Sequence, residues 1–159
     1  MRIYLTGFMG SGKSTIGRLL SEKLGIPFVD LDREIEYKLS LSPTEVFERY
    51  GEQVFRDQET ELLQKFQTDP LIIATGGGCF IHNRQWMLEN GVVLFLDVPY
   101  LQLVSRLGAD PTRPLWKNAE QLYKDRYEEY KKAHHQIDAS GTPEEVVERI
   151  RALPLWNTG

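Results

Sequence analysis

Short apolar runs alternate along this chain with stretches in which apolar residues recur three and four positions apart. The first run, Ile3-Tyr4-Leu5-Thr6, predicts a strand and gives way at Gly7 to a glycine-rich segment. Ile16, Leu19, Leu20 and Leu24 then share one helical face, and Gly25 supplies a C-terminal stop. Ile26-Pro27-Phe28-Val29 reads as a second strand, ending at Asp30-Leu31-Asp32, with a helix following through Ile35 and Leu39. Ser42-Pro43 restarts a helix carrying Val46 and Phe47 that breaks at Gly51, and another helix runs from about Glu52 to Phe66. Leu71-Ile72-Ile73-Ala74 is a short buried strand that ends in Gly76-Gly77-Gly78. A helix near Arg84 to Glu89 precedes Val92-Val93-Leu94-Phe95-Leu96, the strongest strand pattern present. Leu101 to Leu107 is helical, and Gly108 to Leu115, with Pro111 and Pro114, is a loop. Asn118 to Ala133 forms a charged helix, Gln136 to Ala139 a last strand, and Pro143 to Leu153 a closing helix capped by Thr142.

Apolar strands alternating with helices predict an α/β fold in three layers, α/β/α, with a central parallel sheet of about five strands. In such sheets ligands bind beyond the carboxyl ends of the strands. The loops at Gly7, Asp30/Asp32, Gly76–Gly78 and Asp97 each follow a strand and are expected to converge there. With 159 residues and 41% hydrophobic content, the chain has room for one core in one domain. A net charge of −4 leaves no broad basic field for nucleic acid or an anionic membrane, so any anion site is a local pocket. Cys79 is the lone cysteine, which excludes an internal disulfide and suits a reducing compartment. A strand at the very start leaves no room for a signal peptide, and no apolar run spans a bilayer, so a cytoplasmic location is expected.

Gly7-Phe8-Met9-Gly10-Ser11-Gly12-Lys13-Ser14-Thr15 matches G-x-x-x-x-G-K-[ST] between a strand and a helix. Backbone N–H groups from Gly10 to Thr15 can turn inward on a polyphosphate, aided by the positive end of the helix. Lys13 can neutralise the β- and γ-phosphates, and the Ser14 hydroxyl can complete the shell of Mg²⁺. This segment predicts nucleoside triphosphate binding.

Asp30 and Asp32 fit one carboxylate for water-mediated Mg²⁺ binding and one for an acceptor hydroxyl, or equally a pair capping the next helix. Glu52, Arg56 and Glu59 share a helix face, which admits an ordinary surface ion pair. Phe47 and Phe55 could instead wall Arg56 into a carboxylate-binding pocket. Three successive glycines after a buried strand offer N–H groups and close approach to an oxyanion. Arg106 ends a helix, and Arg113 sits in a polar loop from which closure could bring it onto a transferring phosphoryl. Asp97 resembles a Mg²⁺ ligand, but Val98-Pro99 after it makes helix capping at least as good a reading, so it stays outside the catalytic set. His82, His134 and His135 lack metal-ligand spacing and read as surface residues; Trp86, Trp116 and Trp156 read as packing. Lys131 and Lys132 read as a solvated helix face.

Taken together, the P-loop, Asp30-Leu31-Asp32 with Ile35-Glu36, Val46-Phe47-Glu48, Gly51-Glu52 leading to Phe55-Arg56 and Glu59, Gly76-Gly77-Gly78, Arg113-Pro114-Leu115, and Arg126 with Tyr130 resemble the shikimate kinases. These belong to the nucleoside-monophosphate-kinase-like P-loop group, and the resemblance runs from Arg2 to about Ile150. It implies ATP- and Mg²⁺-dependent phosphorylation of the 3-hydroxyl of shikimate. Lys13 would meet the phosphates, Ser14 the metal directly and Asp30 the metal through water. Asp32 would hold the acceptor hydroxyl and take its proton, while Arg56, Arg126, Gly77 and Gly78 grip the substrate. Arg106 would lie against adenine and Arg113 would come from a lid at about 108–118, the substrate-binding segment being about 32–60. A monomer with no macromolecular partner is expected. Two departures from the family pattern stand out. No proline lies within Arg126-Tyr127-Glu128-Glu129-Tyr130, and Asp138-Ala139-Ser140-Gly141-Thr142 lacks an arginine. The rivals are a P-loop kinase for gluconate or a nucleotide, and a nucleotide-dependent switch, for which a guanine-reading Asn-Lys-x-Asp segment is missing.

Overall fold

Five strands, β1 (Arg2–Thr6), β2 (Phe28–Asp30), β3 (Leu71–Ala74), β4 (Val92–Asp97) and β5 (His135–Asp138), form one parallel sheet in the order β2-β3-β1-β4-β5. The structure is a computed structural model and describes residues 1–106 and 118–157. Arg113, Leu115 and Trp116, with the rest of the expected lid before Asn118, lie outside these residues. The helices are α1 (Lys13–Leu24), α2 (Leu31–Leu39), α3 (Pro43–Tyr50), α4 (Glu52–Lys65), α5 (Cys79–Asn90), α6 (Tyr100–Arg106), α7 (Ala119–Tyr130) and α8 (Pro143–Arg151). α8 stops at Arg151, two residues short of the expected Leu153, and a 3₁₀ turn, Pro154–Asn157, follows it.

The strands read as unbroken apolar runs because both faces of the sheet are covered. α1 packs with α8, while α5 lies against β1 and β4 with α4 and α7 beside it. Ile3, Leu5, Ile72, Ile73, Val93 and Leu94 fill the space between layers and are fully buried. The chain leaves β1 toward β2 on one side and β3 toward β4 on the other, so the winding reverses between the neighbours β1 and β3. At that reversal Thr75 ties the two strand ends, its N–H and Oγ1 both donating to the Leu5 carbonyl at 3.1 and 2.8 Å. The P-loop and the glycine triplet thus open side by side, where a doubly wound sheet presents its crevice.

Caps fall where the sequence puts them. Ser42 and Glu45 form a reciprocal capping box on α3, and the Thr142 hydroxyl accepts from the Glu145 N–H. Two boundaries differ. β2 stops at Asp30 rather than reaching Asp32, because the Asp30 carboxylate caps α2 by accepting from the N–H groups of Asp32 and Arg33. α5 starts directly after the glycines at Cys79. Asn83 (φ −128°, ψ 25°) kinks it, so apolar residues before and after the kink share no common face and the early half shows no helical period.

Candidate active site

Gly12 is the N-cap of α1 in a left-handed conformation (φ 94°, ψ 18°), which a residue without Cβ adopts freely. No side chain caps this helix, so the N–H groups of its first turn stay available to an anion. In front of them lies a cavity of about 290 Å³ lined by Gly10, Gly12, Lys13, Ser14, Thr15, Asp32, Gly76 and Gly77 among others. A second cavity, about 270 Å³, continues across Gly10, Gly12 and Thr15 to buried Ser11, Arg106, Ala139 and Val146. Two cavities sharing the P-loop suit a polyphosphate in one and its nucleoside in the other. Arg106, at the wall of the second cavity, donates to the carbonyls of Gly10 at 3.3 Å and Ala139 at 3.2 Å.

Lys13 folds back onto its own loop, its Nζ donating to the carbonyls of Gly7 at 2.5 Å and Phe8 at 3.4 Å. Burial pushes its pKa down to about 8, with Asp32 pulling it back up and Arg126 pressing it lower. The Ser14 hydroxyl donates to Asp30 Oδ2 at 2.6 Å while Asp30 Oδ1 caps α2. The capping reading of Asp30 therefore holds, and its other oxygen meets the Ser14 hydroxyl. Asp32, in the first turn of α2, is mostly buried, and burial raises its pKa, with Lys13 opposing and Asp30 adding to the rise. Its Oδ1 is buried without a hydrogen-bond partner.

Arg56 is not on the surface, and the surface ion-pair reading falls. Arg56 is 8% exposed and Glu59 fully buried, with Nη1 donating to Glu59 Oε1 at 2.9 Å. The guanidinium carbon stands 5.7 Å from the Phe47 ring centre and 5.1 Å from that of Phe55, within cation–π range of both. Burial raises the Glu59 pKa, and the Arg56 charge restrains it.

The triplet explains itself through these neighbours. A Cβ on Gly76 would stand 3.0 Å from Asp32 Oδ1 and 3.2 Å from Glu59 Oε2. On Gly77 it would meet Arg126 Nη1 at 3.0 Å, and on Gly78 it would enter the Arg56 guanidinium at 2.5 Å from Nη2. Both arginines therefore converge on adjacent residues, and Asp32 and Glu59 on the residue before them. Gly78→Ala is expected to displace Arg56 and to raise the KM of the acidic substrate by about 10²-fold, roughly the loss of one charge-assisted hydrogen-bonded contact. Steady-state kinetics with each substrate varied in turn measures this, and an unchanged KM contradicts it.

Asp97 serves elsewhere. Its Oδ2 accepts from Tyr127 Oη at 3.1 Å and Gln136 Nε2 at 2.8 Å, linking β4 to α7 and β5 instead of capping α6. His82 and His134 are exposed, although His134 Nδ1 also accepts from the Val93 N–H at 2.9 Å. Trp86 and Trp156 pack against the core, and Lys131 and Lys132 make exposed ion pairs with Glu128 and Glu129, Lys131 also lying 5.7 Å from the Tyr127 ring centre. Sequence reasoning missed the link from the P-loop to α7, where the Phe8 and Tyr123 rings meet edge to face at 5.5 Å. Residues 115 positions apart in sequence leave no local signal of such a contact.

The family model for shikimate kinase matches residues 9–153. The chain belongs to the shikimate kinase family. A shikimate kinase of Persephonella marina is 43% identical over 139 residues, covering 86% of this chain and 85% of that protein. The shikimate kinase of Acinetobacter baumannii, solved in complex with shikimate, matches with a TM-score of 0.86 at 36% identity, covering 99% of this chain and 94% of that one. A gluconokinase of Sinorhizobium meliloti has a TM-score of 0.57 at 16% identity, covering 93% of this chain and 87% of its own, and shares the fold alone. The fold is thus that of the P-loop kinases, and the activity of the shikimate kinase family is phosphorylation of shikimate by ATP. Among the described residues no helix is long and apolar enough to cross a membrane.

Proposed function

We propose that this chain transfers the γ-phosphoryl group of ATP to the 3-hydroxyl of shikimate at the crevice between the P-loop and Gly76–Gly78. The observation that carries the choice of acceptor is the approach of Arg56 and Arg126 to adjacent glycines. Asp32 borders the same loop and the phosphate cavity. Two guanidinium groups favour a carboxylate, and the buried Asp32 Oδ1 and Glu59 Oε2, which lack a hydrogen-bond partner among the described residues, call for a ligand rich in hydroxyls.

ATP is the co-substrate, with its phosphates at the N–H groups of Gly10 to Thr15 and its nucleoside in the cavity beside Arg106 and Ala139. Residues Ser14 and Asp30 fit Mg²⁺: the hydroxyl donates its proton to Asp30 and keeps its lone pairs for a cation, a hard-oxygen pair suited to an ion that fills its shell with phosphate and water. Bound there, the ion would supply Lewis-acid neutralisation of charge on the phosphate oxygens. Lys13 turns from its carbonyl partners to the β- and γ-phosphates. Asp32 orients the 3-hydroxyl and takes its proton as that oxygen bonds to the γ-phosphorus. The bond from the γ-phosphorus to the β–γ bridging oxygen breaks, and ADP leaves. The raised pKa of Asp32 makes it a better base than an exposed aspartate. Arg113 is assigned the same phosphoryl group on the family pattern. The enzyme is read as a cytoplasmic monomer acting on small molecules alone.

A coupled ADP-release assay over a panel of acceptors tests the assignment. Turnover with gluconate or a nucleoside monophosphate but not shikimate overturns it. Arg56→Ala and Arg126→Ala are each expected to weaken shikimate binding by about 10²-fold, as expected for loss of a buried charge-assisted contact, and to leave ATP binding within about twofold. Calorimetric titration with each ligand separates the two, and equal losses would signal a damaged fold.

A further inference from the structure

We propose that Tyr130 is a positioning residue for the acceptor: its hydroxyl holds the Gly77–Gly78 peptide so that the Gly78 N–H is presented to the acid pocket. The proposal rests on the reading above, in which this glycine loop grips shikimate. Tyr130 Oη donates to the Gly77 carbonyl. Among the described residues only the Asp69-Pro70 peptide is cis, so the Gly77–Gly78 peptide is trans and its carbonyl and N–H point in opposite directions. With the carbonyl held toward α7, the Gly78 N–H points away from that helix on a residue that lies beside the Arg56 guanidinium. That N–H has no hydrogen-bond partner among the described residues. It is a donor with its direction fixed and its acceptor still to come.

The same helix supplies the second half of the grip. Arg126 and Tyr130 are one turn apart on α7, and a Cβ on Gly77 would stand 3.0 Å from Arg126 Nη1 and 3.7 Å from Tyr130 Oη. One rigid element therefore places a guanidinium and locks a peptide on the same glycine. The ring of Tyr130 is positioned independently of its hydroxyl. It is 1% exposed and its centre lies 5.1 Å from that of Phe95 on β4. Burial pushes the Tyr130 pKa up to about 12, so the hydroxyl remains a donor throughout the working pH range. A flexible glycine peptide without this anchor has two free dihedrals on each side and samples orientations in which its N–H faces elsewhere.

A purely structural hydroxyl would affect both ligands and thermal stability alike, whereas a positioning hydroxyl affects the acid alone. Tyr130→Phe retains the ring and removes the anchor. It is expected to raise the Kd and KM for shikimate about tenfold, the usual consequence of leaving a buried carbonyl unpaired and its peptide free, with ATP affinity and saturated kcat within about twofold. Tyr127→Phe is the comparison: it removes a hydroxyl from the same helix, one bonded to Asp97 instead, and is expected to leave shikimate affinity unchanged. An unaltered shikimate Kd in Tyr130→Phe overturns the proposal, as does an equal loss in Tyr127→Phe or an equal loss for ATP. Should Tyr130→Phe fail to fold, the Gly78 amide resonance of the wild-type chain decides: saturating shikimate shifts it, and a resonance that stays in place overturns the proposal. Wild-type turnover of shikimate is measured alongside, so failure of the substrate assignment is visible separately.

Discussion

Lys13→Met is expected to lower kcat by about 10³-fold or more, in line with the loss of a preorganised charge at a transferring phosphoryl, without lowering thermal stability. The two halves have one cause. Lys13 opens α1 with its ammonium turned onto the loop carbonyls of Gly7 and Phe8, and its pKa has fallen to about 8 because desolvation there penalises an ammonium more than Asp32 favours it. Between pH 8 and its ordinary value of 10.5 the unfolded chain binds more protons at this position than the native one. Stability therefore rises with pH across that window, and below it the charged lysine costs the fold. Methionine keeps the aliphatic stem and removes that cost. Triphosphate reverses the balance: next to it the ammonium is favoured and the pKa climbs again. ATP binding is thus expected to take up roughly half a proton at pH 8 and to weaken as pH rises further. Titration calorimetry in buffers of different ionisation enthalpy measures the uptake. A variant with unchanged kcat/KM, or binding without proton uptake at pH 8, removes the phosphate role from Lys13.

Asp32→Asn is expected to cut kcat by about 10³-fold, within the usual range for loss of a positioned base, with shikimate affinity changed only a few-fold. Asparagine keeps an oxygen to accept from the 3-hydroxyl but cannot hold its proton. The wild-type profile of kcat/KM against pH should carry an acid limb above the ordinary aspartate value of 3.8, since burial raises this group. That limb should vanish in the variant. As pH rises from the ordinary to the raised value, the native state holds more protons here than the unfolded chain, so stability declines across that window. The variant escapes this decline and should be no less stable than wild type at neutral pH. A loss confined to KM would leave Asp32 as a hydroxyl anchor and assign the proton elsewhere.

These side chains were legible in the sequence to different degrees. The P-loop was fully so, because its function needs a fixed local order of glycines, lysine and hydroxyl between a strand and a helix. Arg56 was half legible. Helical spacing offered an exposed ion pair with Glu52 or Glu59, and only packing shows Glu59 sealed at zero exposure with the arginine between two aromatic rings. The roles of Gly76, Gly77 and Gly78 were suggested by composition, yet the side chains that approach them come from α2, α4 and α7, and no window of sequence brings those together. The start of α5 was hidden for a local reason, since Asn83 interrupts the period by which a helix is recognised. Asp97 shows the opposite hazard. A strand ending in aspartate invited a metal, and the structure spends that carboxylate on Tyr127 and Gln136.

The glycine triplet also limits how this enzyme can change. Every heavier residue there intrudes on a different charged group, so no graded series of substitutions lets the loop adapt to a new acceptor. Descendants with altered preference must first exchange a guanidinium on α4 or α7, and only afterwards is the loop free to acquire side chains.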